Sequence, residues 1–94
     1  MPVTVRIPSP LRGFAANKAE VEARGKTVGE VITDLSTRHP ELTSRITEGG
    51  KLRRYVNFFV NEQDIRALAG AETPVRDGDV LTIMPAIAGG RPAA

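Results

Sequence analysis

Apolar and polar residues alternate in four stretches of the chain. The alternation is clearest in residues 55–60, YVNFFV, and in residues 80–84, VLTIM, and the same period of two marks residues 3–7 and 19–24. Successive side chains of a strand point to opposite faces, so each stretch predicts a strand with one buried face. Residues 3–7 and 19–24 are separated by prolines and a glycine, and we predict that they form a hairpin.

One stretch has a helical period instead. In residues 27–40, TVGEVITDLSTRHP, the large apolar residues recur at intervals of three, one and three, which places them on one helix face. Thr27 and Glu30 have the spacing of a capping box, in which each side chain accepts a backbone N–H at the helix start. Pro40 is predicted to end the helix, because it disfavours helical geometry at the residue before it. His39 would then lie in the last turn, as a partner for the C-terminal carbonyls.

The segments between these elements are rich in polar residues and glycine. Residues 41–54 predict a loop with an irregular turn at 42–46. Residues 61–65, NEQDI, predict a turn, and residues 66–76 predict an irregular connection. The DGD sequence at 77–79 predicts a tight turn before the last strand.

This order of elements predicts an α+β fold. One helix that crosses a mixed sheet, with the first and last strands adjacent, is a ubiquitin-like β-grasp with the main helix packed on one face. We predict one β-grasp domain over residues 1–88, followed by a flexible Gly-Gly tail with a four-residue extension over residues 89–94. The more apolar strand faces should meet the helix, which leaves Phe59 and Met84 on the other face. With Arg6 at its rim, that patch is a predicted docking surface for a partner.

The composition of the chain argues against several classes of function. The 94 residues make one domain, with 40% hydrophobic residues and a formal charge of +2. The one basic cluster, KLRRY at 51–55, is too small to predict nucleic-acid binding. No signal peptide or membrane span is predicted, so the expected location is cytoplasmic. The sequence shows neither a set of catalytic residues nor a set of metal ligands, so we expect that the protein is not an enzyme and binds no cofactor. We also expect a monomer when the protein is free.

Three motifs, taken in order, carry a resemblance to a known family. They are TVGEVITDL at 27–35, VNFFVN at 56–61 and VRDGDVLTIMPAIAGG at 75–90. With this spacing the chain resembles the ubiquitin-like sulfur carriers, a group that includes the small molybdopterin synthase subunit and the thiamin-pathway carrier. Within that family it is most similar to the carriers that feed sulfur into cysteine synthesis.

The resemblance implies a role for the C-terminal glycines. Gly90 would be adenylated by an E1-like enzyme that uses ATP, and sulfide or a persulfide would then convert it into a thiocarboxylate. A sulfur-accepting synthase would take the sulfur from it. Ile87, Ala88 and Gly89 would thread the tail into partner active sites, because glycine lacks a Cβ and suits a narrow channel. A chain without cysteine would thus carry sulfur on its main chain.

One departure from the family pattern is the sequence after Gly90. Family members usually stop at the second glycine, whereas here Arg91 and residues 92–94 follow. The resemblance implies a zinc metalloprotease of the deubiquitinase type that cuts between Gly90 and Arg91, although the four residues could also be a cloning remnant. Three other functions remain open: a small subunit of molybdopterin synthase, a ubiquitin-like modifier conjugated through Gly90, and a β-grasp domain with an unrelated binding role.

Overall fold

The computed structural model of the chain describes residues 2–49, 51–53 and 56–85, and of Pro85 only the backbone. The strands and helices in these ranges are β1 Val3–Arg6, β2 Glu20–Ala23, α1 Val28–Ser36, α2 Pro40–Ile46, β3 Thr47–Glu48, β4 Lys51–Leu52, β5 Val56–Val60, β6 Gln63–Asp64 and β7 Val80–Pro85. Short 3-10 helices span Ser9–Phe14, Ile65–Ala67 and Gly70–Glu72. Within the described ranges, no helix has the length and apolar character needed to cross a membrane.

Five of the strands form one mixed sheet in the order β2-β1-β7-β5-β6. β1 and β7 are parallel, whereas β1–β2, β5–β7 and β5–β6 are antiparallel. The predicted hairpin of the first two strands and the predicted contact between the first and last strands are therefore confirmed. β7 is the central strand, paired on both sides.

The alternation in each strand divides its residues between the core and the opposite face. Val56, Phe58 and Val60 of β5 are buried, as are Leu81 and Ile83 of β7, which confirms the predicted inward set. The buried apolar residues among those described are Val3, Val5, Ile7, Ala15, Ala23, Val28, Val31, Ile32, Leu35, Leu42, Ile46, Val56, Phe58, Val60, Ile65, Val75, Leu81 and Ile83. They form one cluster, so α1 and one face of the sheet share a single core.

Helix α1 begins at the predicted capping residues. The Thr27 hydroxyl accepts the Glu30 backbone N–H at 3.2 Å, and the Glu30 carboxylate accepts the Lys26 backbone N–H at 2.9 Å. The second bond falls one residue earlier than in an ideal capping box. Two N–H groups at the helix start are thereby satisfied, and a cap of this kind stabilises a helix by about 1 kcal/mol.

The end of α1 differs from the prediction. The helix ends at Ser36, and Pro40 begins α2 rather than terminating α1. His39 is at the N-cap position of α2, so its predicted place in the last turn of α1 is wrong. Its backbone N–H donates to the Leu35 carbonyl at 2.9 Å, and the main chain of His39 thus satisfies a C-terminal carbonyl of α1.

The predicted loop over residues 41–54 is also wrong, because its first part is α2. Leu42, Thr43 and Ile46 are buried on one face of this helix, at helical spacing. Pro40 stands in the first turn, where the N–H that proline lacks would have no intrahelical partner. Burial of that face stabilises the short helix despite its polar composition.

The second part of the predicted loop contains a small hairpin. β3 pairs antiparallel with β4 as a two-stranded sheet separate from the main one. Gly49, at φ +62°, occupies the turn between them, a conformation that glycine adopts without strain. The hairpin connects α2 to β5.

The connection between β5 and β7 is mostly as predicted. Asn61 and Glu62 form a turn, but Gln63 and Asp64 then pair back onto β5 as β6, so the predicted turn at 61–65 is in part a strand. The 3-10 helices give the expected irregular connection. At the predicted tight turn, Gly78 has φ +90°.

Candidate functional site

The residues predicted to form a docking surface lie together on the face of the sheet opposite the core. Arg6, Met84 and Phe59 lie on the neighbouring strands β1, β7 and β5. Thr82 is paired with both Arg6 and Phe59, and Met84 is paired with Asn57. We name the surface formed by these five residues the outer face.

Phe59 and Met84 give the outer face its apolar character. Met84 is 50% exposed and Phe59 is half-buried. Phe59 pairs with Thr82, two residues before Met84 on β7. Phe59 and Met84 are therefore diagonal neighbours, with Cα atoms about 7–8 Å apart. Their predicted position is confirmed, and an exposed apolar pair with a charged rim suits contact with a partner protein. The docking role itself stays a prediction.

Arg66 forms one border of the outer face. Its Nη2 donates to Asn57 Oδ1 at 2.5 Å and to Asp64 Oδ2 at 3.0 Å, and its Nε donates to Asp64 Oδ1 at 3.2 Å. Asp64 is paired with Phe59 in the sheet. The guanidinium therefore ties β6 to the outer face of β5 beside the aromatic ring.

This network of hydrogen bonds was not predicted from the sequence. Asp64 also accepts the Arg66 backbone N–H at 2.8 Å, as the N-cap of a 3-10 helix. The Asp-x-Arg spacing of Asp64 and Arg66 could have predicted their mutual hydrogen bonds. The contact between Arg66 and Asn57 could not be predicted, because it depends on the sheet register. The side-chain and backbone hydrogen bonds from Arg66 hold the pKa of the Asp64 carboxyl below its usual value, so this border keeps a carboxylate.

The opposite border is held more loosely. Arg6 Nε lies 3.8 Å from Glu20 Oε2, and both side chains are more than half exposed, at 61% and 59%. Exposed ion pairs contribute about 0–1 kcal/mol, so breaking this pair would cost little energy.

The glycine tail follows directly from the central strand. β7 reaches Pro85, whose backbone pairs with Val56. The predicted thiocarboxylate and cleavage positions, Gly90 and Arg91, lie outside the described residues, as do the threading residues 87–89. β7 is paired with both β1 and β5, so the tail follows a strand that is held on both sides.

No group of three or more metal-ligating side chains occurs within the part of the chain that the structure describes. A single histidine and the absence of cysteine leave few ligands of the kinds that zinc prefers.

Comparison with known proteins identifies the family. The model of the ThiS family matches residues 5–90. The chain belongs to the ThiS family. Sulfur carrier protein CysO of Mycobacterium tuberculosis is 43% identical to this ThiS-family chain over 93 residues, which cover 96% of this chain and 100% of the relative. The chain is thus a homologue of sulfur carrier proteins, which are small carriers and not catalysts.

Solved structures of similar proteins show the fold. A chain in the crystal structure of the Amycolatopsis orientalis BexX/CysO complex has a TM-score of 0.87 and 46% identity, covering 94% of this chain and 99% of that one. The solution structure of small archaeal modifier protein 1 from Methanosarcina acetivorans has a TM-score of 0.84 and 31% identity, covering 95% and 96%. This member of the ThiS family has the ubiquitin-like β-grasp fold predicted from its sequence.

Proposed function

We propose that this protein is a sulfur carrier that acts through Gly90 once residues 91–94 have been removed. The observation that carries the proposal is the family match, which runs over residues 5–90 and ends at Gly90. The carried sulfur would serve the synthesis of cysteine, a related amino acid or a specialised metabolite.

The proposed chemistry takes place on the main chain. A partner enzyme transfers AMP from ATP to the Gly90 carboxylate, which forms an acyl adenylate and releases pyrophosphate. Sulfide then attacks the carbonyl carbon and AMP leaves, so a C–S bond replaces the C–O bond with no net oxidation or reduction. Because the carrier needs no cysteine for this step, the composition of the chain is compatible with it. The thiocarboxylate sulfur would then displace a leaving group from an acceptor held by a synthase, and hydrolysis of the resulting acyl–sulfur bond would release the product and restore the Gly90 carboxylate.

Removal of the extension is a requirement of this chemistry. Adenylation consumes a free α-carboxylate, and the carboxyl group of Gly90 is bonded to Arg91 in the sequence. Pro92 fixes its own φ and biases Arg91 toward an extended conformation, which suits a protease cleft. A zinc metalloprotease that cuts after Gly90 would release the reactive terminus.

The outer face is the proposed docking surface for the adenylating enzyme. It offers an apolar pair, Phe59 and Met84, between the Arg6 border and the Arg66 border. β7 contributes Met84 to this surface and leads to the tail, so an enzyme that covers Met84 would be close to the residues that it must thread.

The proposal is tested with two forms of the chain, one ending at Gly90 and one ending at Ala94. Each is incubated with an adenylating enzyme of verified activity, ATP and sulfide, and intact mass is read for the exchange of oxygen by sulfur. We expect a thiocarboxylate only on the form ending at Gly90. Equal conversion of both forms would overturn the requirement for trimming, and conversion of neither would overturn the carrier function.

A protein modifier joined through Gly90 is the second candidate. The 31% identity to a small archaeal modifier protein over 95% of the chain favours it, and it would use the same adenylation. Intact mass and peptide mapping separate the two functions. A modifier gives isopeptide-linked adducts on lysines of target proteins, whereas a carrier gives a free thiocarboxylate.

A further inference from the structure

A cleft opens beside the start of β5, on the core side of the sheet. Its volume is about 830 Å³. Ile32 of α1, Val56 and Phe58 of β5, and Ile65 give it an apolar wall, and each of these side chains is at most 9% exposed. Apolar concavities of roughly 300–1,000 Å³ with a few polar groups are typical of binding sites.

The charged side chains that line this cleft are all cationic, and threonine and serine hydroxyls line it as well. Lys51, Arg53 and Arg66 line it, and no carboxylate belongs to the described part of its lining. Arg53 lies 3.4 Å from Glu48 and Arg66 lies 3.0 Å from Asp64, but both of those acids are outside the lining. The cleft therefore presents positive charge around an apolar wall, and charge complementarity favours an anionic ligand.

Arg53 supplies a hydrogen-bond donor in the cleft lining. Its Nη2 donates to the Ser44 carbonyl at 3.1 Å and its backbone N–H donates to the Ile46 carbonyl at 2.9 Å, which fix the side chain against α2. Its Nε is buried and has no hydrogen-bond partner among the described residues. A buried donor without a partner is unfavourable, so an acceptor that reached it would be stabilised by the pairing.

The cleft and the outer face lie on opposite sides of the sheet. Val56 and Phe58 line the cleft, whereas Asn57 and Phe59 alternate with them and point to the outer face. Arg66 borders both surfaces, but the apolar wall of the cleft is on the other side of the sheet from Phe59 and Met84. A protein bound on Phe59 and Met84 would leave that wall accessible, so two partners could hold the carrier at the same time.

We propose that the cleft binds an acidic, amphipathic segment of a partner protein. One or two large apolar side chains of that segment would contact Val56, Phe58 and Ile65. Carboxylates that flank them would meet Lys51 and Arg53. This site is separate from the sulfur chemistry proposed above, and it requires neither Gly90 nor trimming of the tail.

The test uses an acetylated hexapeptide amide that alternates leucine with aspartate, and the same peptide with lysine in place of each aspartate. Both are titrated into the full-length chain with labelled Ile, Val and Met methyl groups. We expect saturable shifts at Ile32, Val56 and Ile65, with Met84 and Val80 on the other face unchanged. The lysine peptide should bind at least about tenfold more weakly, because it places like charges beside Lys51.

A matched pair of charge reversals tests the role of the cations. Lys51→Glu should weaken the aspartate peptide at least about fivefold, while Lys18→Glu, which makes the same change in net charge outside the cleft lining, should alter its affinity by less than about twofold. Shifts centred on Met84 and Val80, equal binding of both peptides, or equal effects of the two substitutions would each overturn the proposal. So would the absence of saturable shifts at the cleft methyl groups.

Discussion

Phe58 and Phe59 are adjacent phenylalanines on opposite faces of β5. Replacing each with alanine tests whether the inner face stabilises the fold while the outer face binds a partner. Phe58 is 2% exposed in the core, where Phe→Ala typically costs about 3–5 kcal/mol. Phe59 is half-buried against its sheet neighbours Thr82 and Asp64, and the loss of such cross-strand contacts costs about 1 kcal/mol.

These values are large relative to the stability of a domain of this size. At roughly 0.05–0.15 kcal/mol per residue, 94 residues give a free energy of unfolding of about 5–14 kcal/mol. Phe58→Ala should therefore lower the melting temperature by about 12 °C or more, and Phe59→Ala by about 4–8 °C. Urea unfolding of both variants, with slopes compared to the parent chain, gives the free energies directly.

The functional measurement separates docking from folding. With the chain ending at Gly90 as substrate, Phe59→Ala should raise the KM of the adenylating enzyme roughly tenfold and leave kcat nearly unchanged, because a docking contact at the centre of an interface contributes about 1–2 kcal/mol of binding. Phe58→Ala, assayed at a temperature where it remains folded, should retain the parent KM.

Two results would refute this reasoning. If Phe59→Ala unfolds the protein as severely as Phe58→Ala, Phe59 belongs to the core. If Phe59→Ala is folded and its KM equals that of the parent, the adenylating enzyme does not dock on the outer face.

Two further predictions concern the fold. A Cβ on Gly25 would lie 2.6 Å from the backbone nitrogen of Val31. Gly25→Ala should therefore lower the free energy of unfolding, measured in urea, by about 1–3 kcal/mol. Gly13→Ala is the control: a Cβ there meets nothing within 4 Å, and the free energy of unfolding should change by no more than about 0.5 kcal/mol. Hydrogen bonds from the Arg24 backbone N–H and then from the Arg38 side chain lower the pKa of Asp34 below 3.8 in the folded state. The ionised carboxylate therefore contributes its full stability above pH 3.8, and that stability is lost as pH falls through the folded pKa. Asp34→Asn should lack this acid-dependent loss of stability, and an acid-unfolding curve identical to that of the parent chain would contradict the prediction.

The four longer strands, β1, β2, β5 and β7, and helix α1 could be predicted because each repeats a pattern over enough residues to fix its period. Val56, Phe58 and Val60 establish a period of two, and α1 carries four buried apolar positions behind a capping residue. α2 has only seven residues, and Pro40, which predicts the end of one helix, is instead the start of the next. The spacing of Leu42 and Ile46 was the available signal, since residues four apart share a helix face.

Other features could not be predicted because they depend on tertiary contacts. β6 has two residues, too few to show alternation, and it forms because Gln63 and Asp64 meet β5 after a tight turn. The contact between Arg66 and Asn57 joins residues nine apart whose proximity follows from that turn. The cleft brings α1, β4 and β5 together, and no single segment encodes it.

The register of β5 decides which of its side chains enter the core and which lie on the proposed docking surface. A slip of one residue would place Asn57 and Phe59 in the core and bring Phe58 to the outer face, since side chains alternate along a strand. Pairing with β7 opposes the slip from one side, and pairing of Phe59 with Asp64 opposes it from the other. Arg66 adds a side-chain bond to Asn57 that would be broken by the same slip. The network at the border of the outer face thus helps to position the aromatic ring of Phe59, which we propose as a docking contact.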